Sequence, residues 1–206
     1  MIAAMSPEVP SQDATLVASA RRGIEPAREA LGRRVGRSAY VFALQLTGNR
    51  EAALDIAQDG VLSFFRNLNR FDADRPIEPW LYQIVRNRAR DLARRDKLRR
   101  HESLDAWLED GRPEGTQASP DPAREVERLE LQRQIWRAVT QLSTDHREIF
   151  LLRDFHGLSY REIGEVLGIP TGTVMSRLHA ARTRLRTLLA AEHHEIVHTN
   201  PERRDR

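Results

Sequence analysis

Two stretches of this sequence carry residue types whose spacing could do chemistry. One lies close to the C-terminal end, where His194-Glu195-Ile196-Val197-His198 has the H-E-x-x-H spacing. On a helix that spacing sets two imidazoles on one face, able to hold zinc while the glutamate works on a bound water. The surroundings do not complete such a site. Only Glu202 and Asp205 follow as third ligands, and no strand pattern is present to build a substrate cleft. His193, His194 and His198 are therefore read as the end of a helix, with no metal, no cofactor and no catalytic residue assigned. A zinc peptidase is kept as a remote alternative. The chain has no cysteine, which excludes disulfides, thiolate metal sites and thiol redox sensing.

The other stretch, Leu158 to Arg186, points to recognition rather than catalysis. Ser159 and Glu162 have the spacing of a capping box, and Ile163, Val166 and Leu167 give the first helix an apolar face. Gly164 is small where a second helix must come close. Gly168 suits a left-handed turn, and Pro170 stops the first helix from continuing. Thr171 or Thr173 can cap a second helix, on which Val174, Leu178, Ala181 and Leu185 form the buried stripe. Its other face carries Thr173, Ser176, Arg177, His179, Arg182, Arg184 and Arg186, and no acidic residue lies between Glu165 and Glu192. A cationic helix with short polar side chains near its start suits a DNA major groove. Arginines neutralise phosphates and the short side chains reach base edges.

The elements around this stretch are all predicted to be helical. With 31% charged and 6% aromatic residues in 206, the cores are modest and aliphatic. The net charge is only +3 although the pI is 9.9, so attraction to a polyanion comes from local patches. Residues 1–20 read as a poorly ordered tail. A helix begins near Glu25-Pro26 and is stopped by Thr47-Gly48-Asn49, where Asn49 can cap the next. That next helix has Leu54, Ala57, Val61, Phe65 and Leu68 on one stripe and Asp55, Gln58 and Asp59 on another face. Asn67 to Pro79 is a loop. A helix from about Pro79-Trp80 to Arg95 follows, with Leu81, Ile84, Val85 and Leu92 inward. Arg86, Arg88, Arg90, Arg94 and Arg95 crowd its exposed side and end, too densely for capping alone.

Glu102 to Pro122 is acidic and rich in glycine and proline, the composition of a flexible linker. A second helical unit then starts near Arg124, with Val126, Leu129, Leu131, Ile135, Trp136, Val139 and Leu142 on one helix. Ser143 can cap the next. No apolar run has membrane-spanning length, and the N-terminus lacks the pattern of a signal peptide, so a cytoplasmic protein is expected without membrane insertion.

Two segments together resemble the extracytoplasmic-function group of bacterial RNA polymerase sigma factors, in the sigma-70 family. LTGNREAALDIAQDGVLSFFRNLNRF with PWLYQIVRNRARDLARR is similar to sigma region 2. LSTDHREIFLLRDFHGLSYREIGEVLGIPTGTVMSRLHAARTRLR is similar to region 4. The resemblance spans about Glu25 to Leu189. It implies an all-α protein of two small helical domains: region 2 at 21–100, an acidic linker at 101–123, region 4 at 124–191 and a C-terminal tail at 192–206. Neither the N-terminal inhibitory region nor the intermediate domain of larger sigma factors has room.

The resemblance also implies roles. Asp55, Gln58, Asp59, Leu62 and Phe65 match the surface that docks on the β′ coiled coil of core RNA polymerase, with the β flap as a second contact. Phe71, Asp72, Arg75, Arg86, Asn87 and Arg90 match the reader of the minus-ten element, which captures an unpaired base. Trp80 is read as core. Thr171, Thr173, Ser176, Arg177, His179, Arg182 and Arg184 match the reader of the minus-thirty-five element, with Ser176 and His179 at base edges and the arginines on phosphates. Met175 and Ala180 stand where relatives are often basic, which suggests a distinct promoter preference. His156 and Tyr160 are structural or phosphate-facing. Core polymerase and promoter DNA are the expected partners, and an anti-sigma factor is a further candidate. The alternative is a helix-turn-helix regulator that acts without replacing sigma, for which the region-2-like segment would have no use.

Overall fold

Local chemistry sets most of the helix ends. Gly48 adopts a left-handed conformation and its N–H donates to the carbonyl of Leu44, while the Asn49 side chain accepts from the N–H of Ala52 at 2.9 Å. That turn separates α2 (Glu25–Thr47) from α3 (Arg50–Asn67). The computed structural model describes residues 12–95 and 122–199, and no strand occurs among them. In chain order they form α1 (Gln12–Arg21), α2, α3, a short 3-10 turn (Leu68–Arg70), α4 (Ile77–Arg95), α5 (Pro122–Thr140), α6 (Thr144–Phe150), α7 (Tyr160–Leu167) and α8 (Thr171–Thr199). A wider turn of i to i+5 type over Leu151–Phe155 extends α6, and the N–H of His156 donates to Leu151.

The first unit packs α1 to α4 around Leu31, Val35, Phe42, Ile56, Phe64, Ile77, Leu81 and Val85. α1 corrects the sequence reading, which left residues up to 20 as a tail. Val17 and Ala20 are buried, Asp13 pairs with Arg34, and the Arg21 guanidinium donates to the carbonyls of Leu68 and Phe71. With only small apolar residues and one valine inward, the segment has little periodicity of its own. Its anchors lie on other helices.

The buried stripe of α3 also differs from expectation. Ala53, Ile56, Ala57, Gly60 and Phe64 face inward, whereas Leu54 is 59% exposed. The stripe is rotated because α3 must come close to α4 at Gly60, where a Cβ would meet Val85 Cγ2 at 3.3 Å. Trp80 is half-buried against Phe64 and Phe71, as its core assignment requires. α4 begins at Ile77 rather than near Pro79, with Ile77 fully packed.

The second unit centres on Trp136, Val139, Leu142, Ile149, Leu151, Leu152, Ile163, Val174 and Leu178. Val126 and Leu131 lie on α5 as expected, but exposed and outside this core. Ser143 caps α6 as expected, accepting from the N–H of His146. α8 continues to Thr199, past the expected domain edge at 191. Most of the acidic linker lies outside the described residues, and so do the side chains of His193, His194 and His198. The two units lie against each other, chiefly α4 against α7.

Candidate nucleic-acid interface

The helix-turn-helix forms as its residues dictate. The Ser159 N–H donates to Glu162 Oε2 at 2.7 Å, and the Glu162 N–H donates to Ser159 Oγ at 3.3 Å. Hydrogen bonding from the Ser159 side chain, and from its backbone N–H, holds the Glu162 carboxyl below the usual carboxylate range. Gly168 ends α7 in the left-handed conformation, and its N–H donates to Gly164. Gly164 is required by space: a Cβ there would lie 2.8 Å from the carbonyl oxygen of Ile169. The turn backbone crosses this position before α8 begins. Thr171 is the first residue of α8, and the amides of Thr173 and Val174 donate to the carbonyl of Pro170. Val174, Leu178, Ala181 and Leu185 are buried, as their spacing predicts.

The opposite face of α8 is accessible. Thr171, Ser176, His179 and Arg184 are exposed, and Thr173, Arg177 and Arg182 are half-buried. The Ser176 hydroxyl donates to the carbonyl of Thr173 at 3.1 Å. Arg182 pairs with Asp154 at 2.6 Å, and Arg177 lies 3.6 Å from Asp145. Both guanidiniums therefore have a carboxylate partner within the second unit. Tyr160 packs under the Arg153 guanidinium, 5.1 Å from its ring centre.

In the first unit the expected minus-ten readers divide into two sets. Asp72, Arg75 and Asn87 are exposed, with the Asp72 carboxylate accepting from the N–H of Asp74. Phe71 and Arg86, both expected as strand contacts, are buried in this arrangement. Phe71 stacks on Trp80 with ring centroids 5.0 Å apart and touches Phe64, so it supports the loop from within the core. Arg86 is covered by the second unit: its Nε donates to Glu148 Oε2 at 2.7 Å. Arg90 donates to both oxygens of Glu148, at 2.9 and 2.8 Å, and to Asp145 at 2.9 Å. Arg75 pairs with Glu165 on α7. A cleft of about 680 Å³ opens beside this pair, walled by Phe71, Asp72 and Trp80 on one side and by Arg161 and Glu165 on the other.

The expected docking surface is on α3, where Asp55, Gln58, Asp59 and Leu62 are exposed and Phe65 is half-buried. Leu54 and Leu62, 59% and 49% exposed, add two large apolar side chains to this strip. Asp59 pairs with Arg88 of α4 at 3.2 Å.

Sequence reasoning missed the residues that join the units. Glu148 is one, and its signal was present: a carboxylate directly ahead of the apolar run Ile149-Phe150-Leu151-Leu152 is buried with it and needs a cation. His156 is another. Its Nδ1 lies 2.9 Å from the Tyr82 hydroxyl and its Nε2 lies 2.7 Å from Gln45 Oε1. The amide oxygen can only accept, so Nε2 carries the proton and Nδ1 accepts from Tyr82. Burial lowers the imidazole pKa to about 4, which keeps it neutral. Of the two readings left open for His156, the structural one holds.

A helix-turn-helix with an exposed cationic face, joined to a second helical unit bearing its own arginine cluster, is the architecture of an all-helical DNA-binding protein. The sequence matches sigma-70 region 2 over residues 31–108 and sigma-70 region 4 over residues 132–185. It is 33% identical over 153 residues to the ECF RNA polymerase sigma factor SigW of Bacillus subtilis, covering 73% of this chain and 82% of SigW. It is 35% identical over 181 residues to the RNA polymerase sigma factor NccH of Alcaligenes xylosoxydans xylosoxydans, covering 87% of this chain and 96% of NccH. The fold is similar to CnrH in its complex with the cytosolic domain of CnrY, with TM-score 0.61 and 27% identity over 87% of this chain and 97% of that one. It is also similar to RpoE of Bartonella quintana in complex with the anti-sigma factor NepR, with TM-score 0.57 and 26% identity over 79% and 95% of the two chains.

The chain belongs to the extracytoplasmic-function group of the sigma-70 family of RNA polymerase sigma factors. It is a specificity subunit that directs transcription initiation, and the polymerase, not this chain, forms the phosphodiester bonds. The region 2 match separates it from a regulator that carries only a helix-turn-helix.

Proposed function

We propose that three surfaces divide the work of this sigma factor. The α3 strip of Leu54, Asp55, Gln58, Asp59 and Leu62, with Phe65 at its edge, docks on the β′ coiled coil. Carboxylates beside exposed leucines suit a basic amphipathic partner helix, and this strip is the observation that carries the docking assignment. The β flap contacts the second unit. The loop with Asp72 and Arg75, together with Arg86, Asn87 and Arg90 of α4, holds the unpaired minus-ten strand, while Phe71 shapes the loop from beneath. On α8, Ser176 and His179 read bases of the minus-thirty-five element. Arg177, Arg182 and Arg184 hold phosphates, and Thr171 and Thr173 flank the N-terminal end of that face.

The protein works in the cytoplasm with polymerase. No helix among the described residues is long and apolar enough to cross a membrane. The relatives CnrH and RpoE were each solved with a partner, CnrY and the anti-sigma factor NepR. By likeness to them this chain is regulated by an anti-sigma factor of its own. The chain is read as two helical units, α1 to α4 and α5 to α8, tethered by the acidic segment between them. Run-off transcription with core polymerase on genomic promoters tests the assignment. A defined start site that requires this chain is expected, and loss of that start in a variant with Asp55 and Leu62 replaced locates the docking surface.

A further inference from the structure

The promoter-strand arginines assigned above are not vacant. Each of three faces a carboxylate from the second unit: Arg86 and Arg90 face Glu148, Arg90 also faces Asp145, and Arg75 faces Glu165. We propose that in the free chain the second unit acts as an internal mimic of the promoter strand, with Asp145, Glu148 and Glu165 standing where DNA phosphates bind. The proposal rests on the minus-ten assignment of those arginines.

The geometry is that of anion recognition. Glu148 is 2% exposed and takes three hydrogen bonds from two guanidiniums, at 2.7, 2.8 and 2.9 Å. A carboxylate and a phosphate oxygen pair present the same planar target to an arginine fork. The same contact closes the loop. Glu165 and Arg161 of α7 form one wall of the 680 Å³ cleft whose other wall is Phe71, Asp72 and Trp80. A base entering beside Asp72 has to pass α7.

Distance makes the contact exclusive. The two promoter elements are named from positions about 25 base pairs apart, or about 85 Å along B-DNA at 3.4 Å per step. Units joined by direct ion pairs cannot reach both. The interlocked form is therefore incompatible with a promoter complex, and release of these carboxylates accompanies DNA capture. A conformer that must open first binds its strand more weakly by the fraction that is open, so an open population of about one tenth lowers apparent affinity about ten-fold.

The test uses the full-length chain and a fluorescent single strand carrying the downstream element of a promoter mapped by run-off transcription. Asp145→Asn, Glu148→Gln and Glu165→Gln together are expected to tighten strand binding about ten-fold at fixed salt. The charge-matched control Glu25→Gln, Glu29→Gln and Glu51→Gln, on α2 and α3 of the first unit, is expected to change it little. Because the chain has no cysteine, dyes at Glu51→Cys and Thr187→Cys report the distance between the units. Energy transfer should fall in the triple variant, and in the parent on adding core polymerase.

Glu148→Gln alone leaves Arg86 without its buried partner and can cost stability. If the triple variant loses helicity, Asp145→Asn with Glu165→Gln, both on exposed side chains, must still tighten binding. Unchanged strand affinity in a folded variant overturns the proposal, as does an equal gain in the charge-matched control. Failure of the parent itself to support transcription with core polymerase would instead overturn the functional assignment.

Discussion

The exposed side chains of α8 sit at different places along its cationic face. Arg184 is exposed near the far end of the cationic face, whereas Ser176 and His179 sit closer to the N-terminal end. Arg184→Ala should weaken binding to every promoter about equally and flatten the salt dependence, as loss of one phosphate contact does. Ser176→Ala or His179→Ala should instead shift the preferred upstream sequence by about 1–3 kcal/mol per lost base contact. Competition binding across a randomised upstream element separates these outcomes, and a sequence shift from Arg184→Ala alone would reverse the assignment. His156 sits between the units, and its pKa is lowered to about 4 by burial. An unfolded histidine titrates near 6.5, so the unfolded chain takes up the proton first as pH falls. The stability from this group is full above about pH 6.5 and is lost progressively towards about pH 4. Between pH 7.5 and 5.5 its share of the unfolding free energy should drop by about 1.4 kcal/mol. Denaturant titrations at the two values should show that slope in the parent and lose it in His156→Gln.

At the level of elements, the turn between α7 and α8 leaves no room for a side chain at Gly164. Gly164→Ala puts a methyl 2.8 Å from the Ile169 carbonyl, a backbone atom that can move only if α8 moves with it. The expected cost is about 1–3 kcal/mol, the range for overpacking a tight site. It should appear as a lower thermal midpoint and weaker binding to the upstream element. On α3 the two carboxylates of the docking strip are not equivalent. Asp59 is tied to Arg88, while Asp55 is exposed on the same face as Leu62. Asp55→Lys should therefore weaken core polymerase binding while helicity is retained. Asp59→Lys should also disturb the contact between α3 and α4. Equal affinity of Asp55→Lys and the parent for core, measured by fluorescence, would remove Asp55 from the interface.

Across the whole molecule, strand opening is the activity that needs both units in the right places. Phe71 is part of the core, so a variant meant to disable base capture has to spare it. Asp72→Ala with Arg75→Ala removes only exposed groups from the loop. It should leave folding, core binding and upstream-element binding intact and abolish permanganate-reactive thymines at the downstream element of a fully paired promoter. A template already mismatched there should restore part of the activity, because unpairing costs a few kcal/mol that the mismatch removes in advance. If the double variant opens paired DNA as the parent does, strand capture resides elsewhere on α4.

What the sequence determined by itself was whatever depends on neighbours in the chain. The capping box at Ser159 and Glu162, the stop at Gly48, the caps at Asn49 and Ser143 and the buried stripe of α8 all follow from spacing over a few residues, because their hydrogen bonds and faces are local. The helices of both units and the exposed cationic face of α8 were legible for the same reason. Tertiary structure alone decided what depends on a distant partner. α1 became a helix because Arg34 and the carbonyls of Leu68 and Phe71 receive its charged ends. Leu54 turned outward because α3 is held by Gly60 against Val85. Phe71 and Arg86 left the surface because Trp80 stacks on one and Glu148 pairs with the other. Spacing along a chain sets which face of a helix a side chain occupies. It does not say what will come to cover that face, since that is chosen by packing between segments tens of residues apart.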